Sequence, residues 1–153
     1  DVMIEENNLK ILKSNEKIHN YEGNIIFDFG GYIDTRIVDA LEQSDCVIVP
    51  TLPEMPDIQG CIDTINTIKQ YNSNVIVVIN RFLNDDTLDI IQKALKDQYT
   101  IRCLNQSKAF PNIYKYKKSI LDMAAANPLL KFGYRKVLNQ FDEILKSIND
   151  DKM

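Results

Sequence analysis

An α/β protein, with a doubly wound parallel sheet in three layers, is the fold class this sequence predicts. Short apolar runs recur along it: NIIFDF at 24–29, CVIVP at 46–50, VIVVIN at 75–80 and the weaker TIRCL at 100–104. Their apolar character is continuous rather than alternating, as in strands buried on both faces of a parallel sheet. Segments with helical spacing separate them, which makes β-α-β three times over. At 153 residues, 44% hydrophobic, with five glycines and five prolines, the chain has the size and composition of one domain.

Taken in order, residues 1–23 give no clear element, and 24–29 reads as the first strand. A helix over 34–43 follows, with Ile37, Val38 and Leu41 at helical spacing. After the strand at 46–50, a helix over 57–71 would turn Ile58, Cys61, Ile62, Ile65 and Ile68 inward, with Asp57 as its N-cap. The strand at 75–80 leads to a helix over 85–96, with Leu88, Ile91 and Leu95 inward, and then to the strand at 100–104. Residues 105–118 read as irregular; a short helix over 118–126 ends near NPLL, where proline stops it. The closing helix, 131–149, has Val137, Leu138, Phe141, Ile144, Leu145 and Ile148 on one stripe.

Several function classes are disfavoured from the start. No run approaches the roughly 18 apolar residues of a membrane span, and there is no signal-like start, so a cytoplasmic protein is expected. Cys46, Cys61 and Cys103 are too scattered for a metal pair or a disulfide framework, and His19 has no partner at ligand spacing. The net charge of −4 is unevenly spread: residues 1–100 carry −9, residues 101–140 carry +7 and the tail carries −2.

Ligands of open parallel sheets gather at the carboxyl ends of the strands. Asp28 stands at such an end, followed by Phe29, Gly30 and Gly31. A carboxylate there can organise magnesium, and a glycine N–H can approach a terminal phosphate with no side chain between. Helix capping and a plain glycine turn explain the same residues equally well. Asn80 and Arg81 end the third run. A carboxamide in that place offers the donor and acceptor that read a purine edge, or else serves a turn.

NIIFDFGG, SDCVIVPTLPEMPDIQG and VIVVINRF, and more loosely SKAFPNIYKYKKSILD, together resemble the ParA/MinD family of P-loop ATPases with a deviant Walker A motif. The resemblance covers most of the chain from residue 24 onward. It implies the P-loop NTPase type of sheet, with ATP and Mg2+ as cofactors. Asp28 would match the Walker B aspartate on the metal, and Gly31 the switch glycine. Asn80 and Arg81 would match the base-binding strand end, with Phe110 and Pro111 bordering the base. TLPE and Asp57 would lie near the face where the family's ATP-sandwich dimers meet. The family's glycine-rich loop with its lysines lies upstream of Walker B, and none occurs in these residues, so the N-terminal P-loop unit is expected to be missing. Residues 1–153 are then a single partial ATPase domain, with the site strands in 24–104 and helices in 105–149. Such a chain is expected to be inactive alone, because the loop supplies most of the contacts to the phosphates.

Lys115, Lys117, Lys118, Lys131, Arg135 and Lys136 lie in the basic segment, with Lys108 before them and Tyr114 and Tyr116 interleaved. A local positive field of this kind suits nonspecific DNA, while a solvated helix face is the plain alternative. The closing helix carries Asp142, Glu143, Asp150 and Asp151, which an anionic bilayer would repel, so no membrane is expected. The expected function is the C-terminal part of a ParA-like ATPase for plasmid or chromosome partition or DNA transfer. It would act as a homodimer with a ParB-like stimulating partner. Alternatives are a degenerate, non-enzymatic ATPase-fold interaction module and a MinD-like cell-division ATPase. A guanine-nucleotide switch is weakened because Leu83 stands where a guanine reader needs an aspartate.

Overall fold

The computed structural model describes residues 11–12, 16–19, 23–29, 36–82, 85–95 and 98–150, with side chains omitted at 85–87 and 150. Nine elements are described: α1 (Arg36–Gln43), β1 (Val47–Thr51), α2 (Met55–Ile68), β2 (Val75–Phe82), α3 (Asp85–Leu95), β3 (Thr100–Asn105), α4 (Ala109–Tyr116), α5 (Ile120–Ala126) and α6 (Pro128–Asp150). The strands form one parallel sheet in the order β1-β2-β3. Val47 stands opposite Val75, and Ile76 opposite Thr100, so the two pairings run in step along β2.

The central strand explains the layers. On one face of the sheet, Val75, Val77, Ile79 and Phe82 pack with Leu41, Ile58, Cys61, Ile65, Ile91 and Leu95. On the other, Ile76 and Val78 pack with Leu104, Ile120, Met123, Tyr134, Val137 and Ile144. Alternate residues of a strand point to opposite faces, so an uninterrupted apolar run demands helices on both. The result is an α/β protein whose parallel sheet is flanked by helices on both sides. Ile76, Val77 and Ile79 are wholly buried.

Amide side chains fasten the connections. Asn72 Nδ2 donates to the carbonyls of Leu41 (2.9 Å) and Ser44 (2.7 Å), while its Oδ1 accepts from Asn74 N–H (2.9 Å). One side chain thus joins the turn before β1 to the turn before β2 and satisfies backbone groups that helix and sheet leave over. Asn127 both ends α5 and starts α6, its Oδ1 accepting from Leu129 N–H at 2.9 Å.

Several expectations need correcting. Residues 24–29 belong to no strand; Ile26 is 94% exposed and Asp28 is exposed. An apolar run needs a neighbouring strand and cover on both faces, and none of the described strands pairs with this one. Residues 109–116 form α4 instead of irregular chain, with Pro111 in its first turn, where the missing N–H is harmless. α2 starts earlier than expected: Glu54 is its N-cap and Asp57 lies in the first turn. Pro128 opens α6 besides closing α5, so the last helix gains a turn at its start. Leu145 is exposed, off the inward stripe. Among the described residues no helix is long and apolar enough to cross a membrane.

Candidate functional site

The carboxyl edge of the sheet holds the candidate site, built where β2 and β3 end. Register slips between Asn80 and Phe82: Asn80 faces Leu104, Phe82 faces Asn105, and Arg81 is left over as a bulge. Its φ of 54° is left-handed, a conformation that side chains with a Cβ adopt only under compulsion. Asn80 stabilises the kink by accepting the Arg81 N–H on Oδ1 at 2.9 Å. Bulges re-aim a side chain at the end of a strand, and here the side chain is a guanidinium.

Below the bulge the strand ends are locked together. Asn105 Nδ2 donates to the Phe82 carbonyl at 3.0 Å, and Asn105 N–H donates to Gln140 Oε1 at 3.0 Å. Gln140 Nε2 donates in return to Asn105 Oδ1 at 2.5 Å. The last residues of β2 and β3 are therefore pinned to α6. Ser107 Oγ accepts from Ala109 N–H at 3.1 Å and sets the start of α4. Phe110 then rests edge-on against Phe141, with ring centroids 6.3 Å apart and planes at 65°.

These parts border a cleft of about 510 Å³, lined by Arg81, Gln106, Ser107, Lys108, Phe110 and Pro111. Its size suits a nucleoside-sized ligand. Phe110 and Pro111 give it an apolar wall, and Arg81 and Lys108 bring two cations. A smaller cleft of about 340 Å³ at the opposite edge, lined by Ser73, Asn74, Val75, Gln98, Tyr99 and Thr100, has no charged side chain. The carboxyl edge is the side where open α/β sheets take ligands, and it alone of the two offers charge.

Of the residues singled out in the sequence, Arg81, Phe110 and Pro111 meet in this cleft, and Asn80 adjoins it through Arg81. Asp28 does not line it; it lies exposed in the stretch 24–29, outside the described strands. Gly31 falls outside the described residues. No group of three or more His, Cys, Asp or Glu side chains able to hold a metal ion is found among the described residues. Asn80, one residue before the cleft-lining Arg81, accepts the Arg81 N–H on Oδ1, and its NH2 can also donate.

Gln106, Ser107 and Lys108 line the cleft but were not assigned to the nucleotide site from sequence, and neither were Asn105 and Gln140. A signal existed for Asn105, since β3 ends in an asparagine just as the VIVVIN run does. Gln140 carried no sequence signal, because its partner is 35 residues away.

The basic side chains Lys108, Lys115, Lys117, Lys118, Lys131, Arg135 and Lys136 are all exposed, spread over α4, the α4–α5 turn and the first half of α6. Lys117 closes α4 in a left-handed conformation, φ 52°. Ser119 then caps α5, accepting Asp122 N–H at 3.0 Å. Compared with known proteins, the chain matches no protein-family model and no curated sequence.

Proposed function

We propose that this chain is the C-terminal part of a ParA-like ATPase of the P-loop NTPase type, serving plasmid or chromosome partition or DNA transfer in the cytoplasm. The observation that carries the reading is the carboxyl-edge cleft. Arg81, with the strand-end Asn80 beside it, lines the cleft together with Phe110 and Pro111, residue types suited to a purine. In the complete protein ATP and Mg2+ would bind with Asp28 and Gly31 toward the phosphates, and the homodimer would hold DNA on the lysine-rich surface. A ParB-like partner would stimulate hydrolysis and release.

Titrating the complete protein with ATP and with GTP tests the base: ATP is expected to bind more tightly. In the same protein Asp28→Ala is expected to abolish magnesium-dependent hydrolysis while leaving the melting temperature unchanged, and undiminished turnover would remove Asp28 from the site.

One observation favours a second reading, a non-enzymatic interaction module derived from such an ATPase: Asp28 lies exposed and off the sheet. The coding sequence upstream of Asp1 separates the two. A glycine-rich lysine loop there supports the enzyme; a start codon with no such loop supports the module.

A further inference from the structure

One face of α6 is open along the helix and divided by charge. α6 packs against α5 and β3, with Tyr134, Val137 and Ile144 buried. A helix turns roughly 100° per residue, so side chains seven apart return to almost the same side. Phe132, Asn139 and Lys146 therefore run down the middle of the side opposite those buried residues. Arg135 and Asp142 line one flank of this stripe, and Lys136 and Glu143 line the other. All seven side chains are exposed, Phe132 by 77%. Each flank is thus basic toward the start of the helix and acidic two turns later.

That division is self-complementary. An antiparallel second copy of α6, related by a two-fold axis at Asn139, lays each flank against its own reverse. Arg135 then stands opposite Asp142 of the second copy, and Lys136 opposite Glu143 of the second copy; the axis repeats both pairs. A parallel arrangement would set cation against cation and acid against acid, which is repulsive. In the antiparallel one Phe132 faces Lys146 of the second copy, whose methylene stem can cover the open ring. Asn139 meets its own copy, and a carboxamide can donate and accept at once.

We propose that this face of α6 is a self-association surface, on which a second copy of the chain docks its own α6 antiparallel. Exposed ion pairs around one ring make a modest contact, so the dimer is reversible and its dissociation constant micromolar. The inference goes beyond the function proposed above: the contact needs no nucleotide, and it takes up Arg135 and Lys136, leaving DNA to the lysines of α4 and the turn after it.

The test is analytical ultracentrifugation of the complete protein without nucleotide, up to millimolar concentration, where a monomer–dimer equilibrium is expected. Lys136→Glu and Glu143→Lys each put like charges opposite one another at two symmetry-related points, and each is expected to weaken the dimer about tenfold. Both together in one chain restore the pairs with signs exchanged, and are expected to bring association back to within about threefold of wild type. The melting temperature should stay the same in all three, because both positions are exposed. A protein that stays monomeric overturns the inference, while the ATP and DNA readings stand on their own titrations. So does a dimer that the single reversals leave intact or that the double reversal leaves broken. A monomeric wild type in which Lys136→Glu weakens binding to duplex DNA, or to vesicles containing phosphatidylserine, gives the face to nucleic acid or an anionic membrane instead.

Discussion

Arg81 holds a left-handed backbone that a glycine would adopt freely, and the strain is of order 1 kcal/mol. Arg81→Gly is therefore expected to raise the melting temperature by about 2 to 4 °C while weakening ATP binding by the complete protein; calorimetry and nucleotide titration read the two effects separately. A stabilised variant with unaltered ATP affinity would make the kink mere geometry. Cys61 is a different case, because burial alone pushes its thiol from 9.0 up to about 11. The folded state favours the neutral thiol, so its contribution is complete below pH 9 and is lost as the pH rises toward 11. The loss is on the order of 2 kcal/mol. Urea unfolding across that range should show a steeper fall for the wild type than for Cys61→Ala. Arg81 was legible as a strand-end residue, whereas Phe110 and Pro111 were set beside it only by the family resemblance, as a loop that is in fact the first turn of α4. Asp28 was not legible, since an apolar run followed by an acid specifies a strand end only where a neighbouring strand pairs with it.

Among the elements, the Asn105–Gln140 pair bears the most on the site, because it holds β2, β3 and α6 in one place. Gln140→Ala leaves two polar groups of Asn105 without their protein partners and is expected to cost about 1 to 3 kcal/mol. Asn105→Ala combined with it should cost less than the sum of the single changes, which a double-mutant cycle checks. Most elements were readable because β2 is apolar from Val75 to Ile79 and α2 repeats its apolar residues at helical spacing. α4 was not: KYKK and a proline look like loop. That helix is held by tertiary contacts, with Ala109 wholly buried, Phe110 against Phe141 and Asn112 on Tyr134. Leu145 misled in the other direction. It sits beside Ile144 in the sequence, yet helical rotation carries it out to water.

Over the whole molecule, charge is segregated by residue number and structure gathers the positive part on α4, the turn after it and the start of α6. Lys115, Lys117 and Lys118 changed together to glutamate are expected to weaken DNA binding by the complete protein and to flatten its dependence on salt. Binding with the same salt slope would return these lysines to a solvated surface. The three-layer arrangement itself was legible, because continuous apolar strands leave no face for water.

Strand order in the sheet is also the order of synthesis: β1, then β2, then β3. Among the described strands, β2 and β3 each leave the ribosome with the neighbour already made, one helix earlier, so these three can assemble by addition at one side. Pairing partners lie close along the polypeptide, which keeps loop-closure costs low and favours assembly while translation is still under way. Phe110, which lines the cleft, gains its ring contact with Phe141 only when α6 has emerged.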